Sequence, residues 1–264
     1  MIRISLPWLI EVINSINNIE NIEPGNTRGS IYGYLYIART QVQAILQESL
    51  YSSSILAARE VGDQFIKHLD QTMQGPMSEA ISEIDVWSVK NSANQLRTVL
   101  LAELGTFPCF FVLKKLPYDT NSLLEHGETI FPAELGAKVP DAVFDAKEAG
   151  KSLAFELGTA CGFHSFRTLE SVVRAYYREK TGGAAEPKQR NLGVYIRALE
   201  KHNANEKIIS ALKQIKDLHR NPVSHPEVAL TIEEAASIVG VVRSAIAAMI
   251  NELPEIKQTT SNAP

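Results

Sequence analysis

The residues best suited to chemistry lie in one short segment, Arg220-Asn221-Pro222-Val223-Ser224-His225. A guanidinium and an imidazole bracket a turn stiffened by proline. Arginine offers five N–H donors in a planar fork that suits a phosphate. Histidine titrates near neutrality and can take or give a proton. Those are the two roles needed for metal-independent attack of a ribose 2′-hydroxyl on its neighbouring phosphate. Asn221 would position the turn or a phosphate oxygen. His219 is either a secondary phosphate ligand or a last-turn histidine favoured by the helix dipole. No helix carries a pair of acidic residues and histidines that suggests a metal, and no cofactor is expected.

The elements around this segment must position it. Asn205 to His219 predicts a helix, with Ile208, Ile209, Leu212, Ile215 and Leu218 as one apolar stripe. Asn205 fits its N-cap, where a side-chain oxygen accepts from the free amides of the first turn. Pro222 cannot extend that helix, and its ring pushes Asn221 out of helical geometry. Thr231-Ile232-Glu233-Glu234 is a capping-box pattern that opens the last helix. Further upstream, Asp145 to Cys161 predicts one helix. Phe163 to Lys180 continues or restarts it and stops at Thr181-Gly182-Gly183. Leu192 to His202 predicts a shorter one. Arg167, Glu170 and Arg174 are spaced by three, four and seven residues, so they share a helix face. That spacing also allows an ordinary ion pair between Arg167 and Glu170. His164 is expected in the core or at a cap.

Taken together, these features resemble the HEPN ribonuclease-like family. Its members are helical bundles with an arginine, a polar residue, three or more others and then a histidine, placed before the last helix. Arg220, Asn221 and His225 follow that order. Arg167, Glu170 and Arg174 resemble the polar positions that some of these domains turn toward the motif. The likeness covers about residues 145–253. It implies a homodimer in which two such turns face each other across one cleft. It also implies RNA as substrate, cleavage to a cyclic phosphate, and a setting in toxin–antitoxin or antiphage defence, with an antitoxin or defence-system partner. The family also has non-catalytic members that only bind nucleic acid or nucleotides.

The rest of the chain reads as all-α. Leu9 to Ile22, Tyr32 to Glu48, Ser54 to Met73 and Ser78 to Leu104 carry helical periodicity, punctuated by Pro24-Gly25 and Gly75-Pro76. Cys109-Phe110-Phe111-Val112-Leu113 is a short apolar run that suits a strand. A Pro- and Gly-rich stretch follows and reads as a connector, with a domain boundary near Pro140. The expected organisation is therefore a mainly helical region over 1–140, a helical bundle over 141–257 and a disordered tail over 258–264. Tyr32, Tyr34 and Tyr36 suit core packing better than base stacking.

Composition bounds the function. The 264 residues carry a formal charge of −4, which argues against a general nucleic-acid coat protein. The charge is uneven: residues 1–144 hold 10 Lys and Arg against 16 Asp and Glu, and residues 145–264 hold 16 against 14. Polyanion contact is thus expected in the second half. No apolar run reaches the ~18 residues of a membrane span, and the start lacks the order of a signal peptide. Cys109 and Cys161 share no metal-ligand spacing and suit ordinary buried thiols. A reducing, cytoplasmic setting is expected.

Overall fold

The computed structural model describes residues 4–115, 117–220 and 228–255. Asn221, His225 and the tail 258–264 lie outside the described residues. The fold is all-α. It divides into two compact units, Met1–Phe110 and Phe111–Pro264, each with its own core.

The first unit is built from α1 (Leu6–Asn17), α2 (Arg28–Gln43), α3 (Ala57–Met73) and α4 (Glu83–Leu104). Local chemistry starts three of them. Ser5 and Thr27 cap α1 and α2, and Ser82 forms a reciprocal capping box with Asp85 on α4. Helix α3 has no side-chain cap of its own at Leu56. Instead the Glu103 carboxylate at the end of α4 accepts the N–H groups of Leu56, Ala57 and Ala58 at 2.6–3.0 Å. Burial works against that charge, but the three backbone donors outweigh it and hold the carboxyl below its ordinary range. Helix α2 buries Ile31, Leu35, Ala38 and Val42. Tyr32, Tyr34 and Tyr36 fall off that stripe and are exposed, not in the core. At 100° per residue they cannot join it.

The second unit contains α5 (Thr120–Glu125), α6 (Leu135–Lys138), α7 (Val143–Ala154), α8 (Gly158–Lys180), α9 (Leu192–Lys201), α10 (Glu206–Ile215) and α11 (Ile232–Glu252). The boundary lies at 110/111, not near Pro140. The stretch read as a connector carries Leu123, Ile130, Phe131, Leu135 and Val139, and all five are buried in the core of this unit. Glycine makes their seating possible. A Cβ on Gly150 of α7 would lie 2.4 Å from the Gly127 Cα, and one on Gly127 would lie 2.4 Å from the Lys147 carbonyl oxygen. Residues 109–113 form no strand. An extended run becomes a strand only when its backbone groups find a ladder partner. Phe110 and Phe111 are instead 88% exposed, and Cys109 is exposed as well. Cys161 is buried, which pushes its thiol up to about 12.

The helix expected over Asp145–Cys161 is two helices. The chain breaks at Phe155-Glu156-Leu157, where Glu156 takes a left-handed φ of 61°. Helix α8 then restarts hard against the chain leading into α11. The Leu230 N–H donates to Thr159 Oγ1 at 2.9 Å, and a Cβ on Gly158 would lie 2.3 Å from the Leu230 carbonyl oxygen. At its other end α8 is tied by Glu252. That carboxylate accepts from the Tyr176 hydroxyl and the Asn205 side-chain amide at 2.7 Å, and pairs with Lys180 at 2.8 Å. The capping box at Thr231 and the N-cap at Asn205 both form as expected. Helix α8 is thereby fixed at both ends.

Two outcomes test this account. Gly150→Ala is expected to destabilise the protein by ~1–3 kcal/mol in urea or thermal unfolding, because both neighbours are backbone. Glu252 opposes a burial cost, yet Lys180, Tyr176 and Asn205 hold its pKa at about 2 against an ordinary 4.5. A depressed carboxylate pKa contributes stability that is present above about 4.5 and is lost as pH falls toward about 2. Glu252→Gln is expected to cost ~1–3 kcal/mol at pH 7 and to flatten that acid dependence in unfolding curves taken between pH 3 and 7.

Candidate functional site

Helix α8 is the central helix of the second unit, and nearly all of its circumference is buried. Cys161, Ser165, Phe166, Thr168, Leu169, Val172, Val173, Tyr176 and Tyr177 all lie inside. Between 161 and 177 the positions not buried are Phe163, His164, Arg167, Glu170, Arg174 and Ala175. They recur every three or four residues, so they form one strip along the helix. All but one are aromatic, imidazole or charged.

Two carboxylates organise the strip. The first is Asp145, on α7. It was expected only as the start of a helix. Its position puts it on the same face as Ala142, Ala146, Ala149 and Leu153, all of them buried. Asp145 is buried with them, its side chain 8% exposed. A charge so placed must be paired, and one oxygen, Oδ1, serves two partners. It accepts from Arg167 Nε at 2.8 Å and lies 2.9 Å from His164 Nδ1. His164 is therefore not a core residue. Arg167 is also not paired with Glu170, although their spacing allowed it. Its side chain remains 54% exposed, and its guanidinium lies over the Phe163 ring, 5.7 Å from the centroid. An acidic residue on an otherwise apolar helical face was the sequence signal for Asp145.

The second carboxylate is Glu170, which accepts from Arg220 Nε at 3.1 Å. This contact spans 50 residues. It brings the arginine of the short motif onto the strip that carries Arg167 and Arg174. Arg220 ends a five-residue π-helical turn, Lys216–Arg220, which widens the end of α10. Single π turns of this kind are frequent at functional sites. His219 sits half-buried in the same turn. Among the described residues it makes no hydrogen bond or ion pair. Asn221 and His225, the motif's other two members, fall outside the described residues.

Arg174 completes the strip. Its guanidinium donates to Ser171 Oγ at 3.0 Å. It also lines a shallow cleft with Glu170, Val173, Arg190, Leu192 and Tyr195. Glu186 holds the cleft's rim: Arg190 and Arg178 approach it at 3.2 and 3.4 Å, and the Tyr195 hydroxyl at 3.2 Å. Burial and the Glu186 charge push the Tyr195 phenol up, so it stays a neutral donor. The site thus gathers Arg167, Glu170, Arg174 and Arg220 of the residues selected from sequence, with His219 adjacent to Arg220 in the chain, and adds Phe163, His164 and Asp145. Its donors suit an anion with several oxygens. Among the described residues no group of three or more His, Cys, Asp or Glu is placed to hold a metal ion. None of their helices is long and apolar enough to cross a membrane.

Asp145 and Arg167 differ sharply in burial, and their substitutions should differ too. Asp145→Asn is expected to cost ~1–3 kcal/mol, as a weakened buried hydrogen-bond acceptor. The coupling between Asp145→Asn and Arg167→Gln in a double-mutant cycle is expected at ~0.2–1 kcal/mol, because solvent screens the half-exposed arginine. Urea unfolding of the four proteins measures both.

The chain matches no family model, no curated protein and no solved structure.

Proposed function

We propose that the second unit is a HEPN-like, metal-independent endoribonuclease domain, acting as a homodimer in which two Arg220–His225 turns share one cleft. The single observation that carries this reading is the Glu170–Arg220 ion pair. It joins the motif's arginine to the polar strip of α8, the two features that the family resemblance selects.

In this reading His225 takes the proton of a ribose 2′-hydroxyl. The freed oxygen attacks the adjacent phosphorus, and the bond from phosphorus to the 5′-oxygen breaks. The leaving oxygen gains a proton from water or from the facing turn. The products are a 2′,3′-cyclic phosphate and a 5′-hydroxyl. Arg220 binds the non-bridging oxygens as their charge grows. Glu170 is a positioning residue that aims the Arg220 fork. Asn221 holds the turn, and His219 lies within the same turn as a supporting phosphate ligand. Toxin or antiphage effector activity, restrained by an antitoxin or defence-system partner, is the biological role that follows.

A second reading is a non-catalytic dimer of the same type that binds nucleic acid or nucleotides. One observation favours it: Asp145 and Glu170 offset two of the three arginines on the strip.

Incubation of the purified chain with mixed RNAs separates the two. Cleavage with cyclic-phosphate ends is expected, reduced ~10²–10⁴-fold in His225→Ala. Glu170→Gln is expected to lower kcat and leave KM and the melting temperature nearly unchanged, since a partly exposed pair contributes under ~1 kcal/mol to stability. Equal behaviour of the parent and His225→Ala would reject catalysis. RNA binding without cleavage would then favour the second reading. Sedimentation as a monomer at working concentration would reject the shared cleft.

A further inference from the structure

Arg167 is anchored by one nitrogen only. Its Nε is spent on Asp145. Its two terminal nitrogens, four N–H donors, have no acceptor among the described residues. His164 is held the same way: Nδ1 faces Asp145, and Nε2 has no partner among the described residues. One buried carboxylate therefore orients two side chains whose outward edges are unused. Beside them lies Phe163, 51% exposed. Its ring meets His164 edge to face at 5.6 Å and carries the Arg167 guanidinium at 5.7 Å. This exposed ring adjoins an oriented anion fork. A flat apolar ring next to phosphate donors fits one chemical class well, a nucleotide.

Resting on the ribonuclease reading, we propose that Phe163, His164 and Arg167 form a subsite for a neighbouring nucleotide of a single-stranded RNA, distinct from the scissile position at Arg220. The base stacks on the Phe163 ring, as bases stack on aromatic platforms in single-strand binders. Its phosphate lies on the Arg167 terminal nitrogens, joined by His164 Nε2 when the ring carries both protons. Asp145 is a positioning residue: it touches no RNA and fixes both side chains. The strand then follows the strip. Arg167 and Arg174 stand seven residues apart, about 10 Å along the helix, with Arg220 pinned between them on Glu170. This arrangement explains how a chain of net charge −4 can engage RNA: three arginines act locally, aimed along one line, without an extended basic surface.

The test uses the full chain and a fluorescently labelled 12-nucleotide 2′-O-methyl-uridylate strand. This strand lacks the attacking hydroxyl, so it reports binding alone. Anisotropy titrations are run at several KCl concentrations. Phe163→Ala is expected to weaken binding roughly 5- to 100-fold and to leave the salt slope unchanged. Phe163→Trp, which keeps a stacking surface, should bind as the parent does. Arg167→Gln should weaken binding and flatten the slope of log K against log salt by about 0.7, the loss of one phosphate contact on a single strand. Phe163 is exposed, so its variants test the subsite without disturbing the core. Parent-like affinity and slope in both Phe163→Ala and Arg167→Gln would overturn the subsite, even if the parent cleaves RNA. Binding with the expected dependence, in a protein that cuts no RNA, would keep the subsite and reject the catalytic reading. No binding of the parent to the strand would overturn the subsite, and the cleavage assay then decides the catalytic reading by itself.

Discussion

The second unit depends on how α8 is enclosed. A helix packed on most of its surface has few positions left for polar groups, and a charge buried beside it must find a partner inside the protein. The chain meets that constraint with two carboxylates on or beside the same strip. Asp145, from α7, fixes His164 and Arg167. Glu170, on α8 itself, takes Arg220. Each pair orients a donor as it neutralises a charge. Remove Asp145 and the half-exposed Arg167 guanidinium loses the hydrogen bond that orients it. The electrostatic requirement of the core and the geometric requirement of the site are met by the same atoms.

Rigidity of the helix underlies this. Gly158 and Thr159 lock the start of α8 to the approach to α11, and Glu252 ties its far end to α10 and α11. Side chains on a helix fixed at both ends keep their mutual spacing, and sites carried on such elements are held more sharply than sites on loops. The apolar residues between Leu123 and Val139 add to the same core, through a glycine-to-glycine approach that no larger residue allows. A stretch that looks like a spacer therefore helps hold the floor beneath α7, and so beneath Asp145.

Much of this was legible in the sequence, and the failures share a cause. The cap at Asn205 and the capping box at Thr231 are local signals, carried by residues within one or two turns, and both appear where they were expected. The common face of Arg167, Glu170 and Arg174 is local too. Their partners are not. Arg167 could pair with Glu170 three residues away, yet it pairs with Asp145, 22 residues away on another helix. The exposure of Cys109, the assignment of residues 111–140 to the second core and the half-open position of His164 likewise depend on contacts distant in sequence. The three tyrosines of α2 are a different failure. Their position relative to Ile31 and Leu35 was readable by helical geometry, and their aromatic character obscured it.

The π-helical turn at Lys216–Arg220 has a further consequence. Such a turn amounts to one extra residue accommodated within a helix end. A shift of one residue in an ordinary helix rotates every following side chain by about 100°. The direction in which Arg220 leaves α10 is thus set by the number of residues before it as much as by their identity. Point substitutions between 216 and 219 can be tolerated with the arginine still on Glu170. A single deletion there, however conservative the remaining residues, would aim it elsewhere. The constraint on this segment is one of length, and chains that keep the arginine while differing in that count would have lost its alignment with α8.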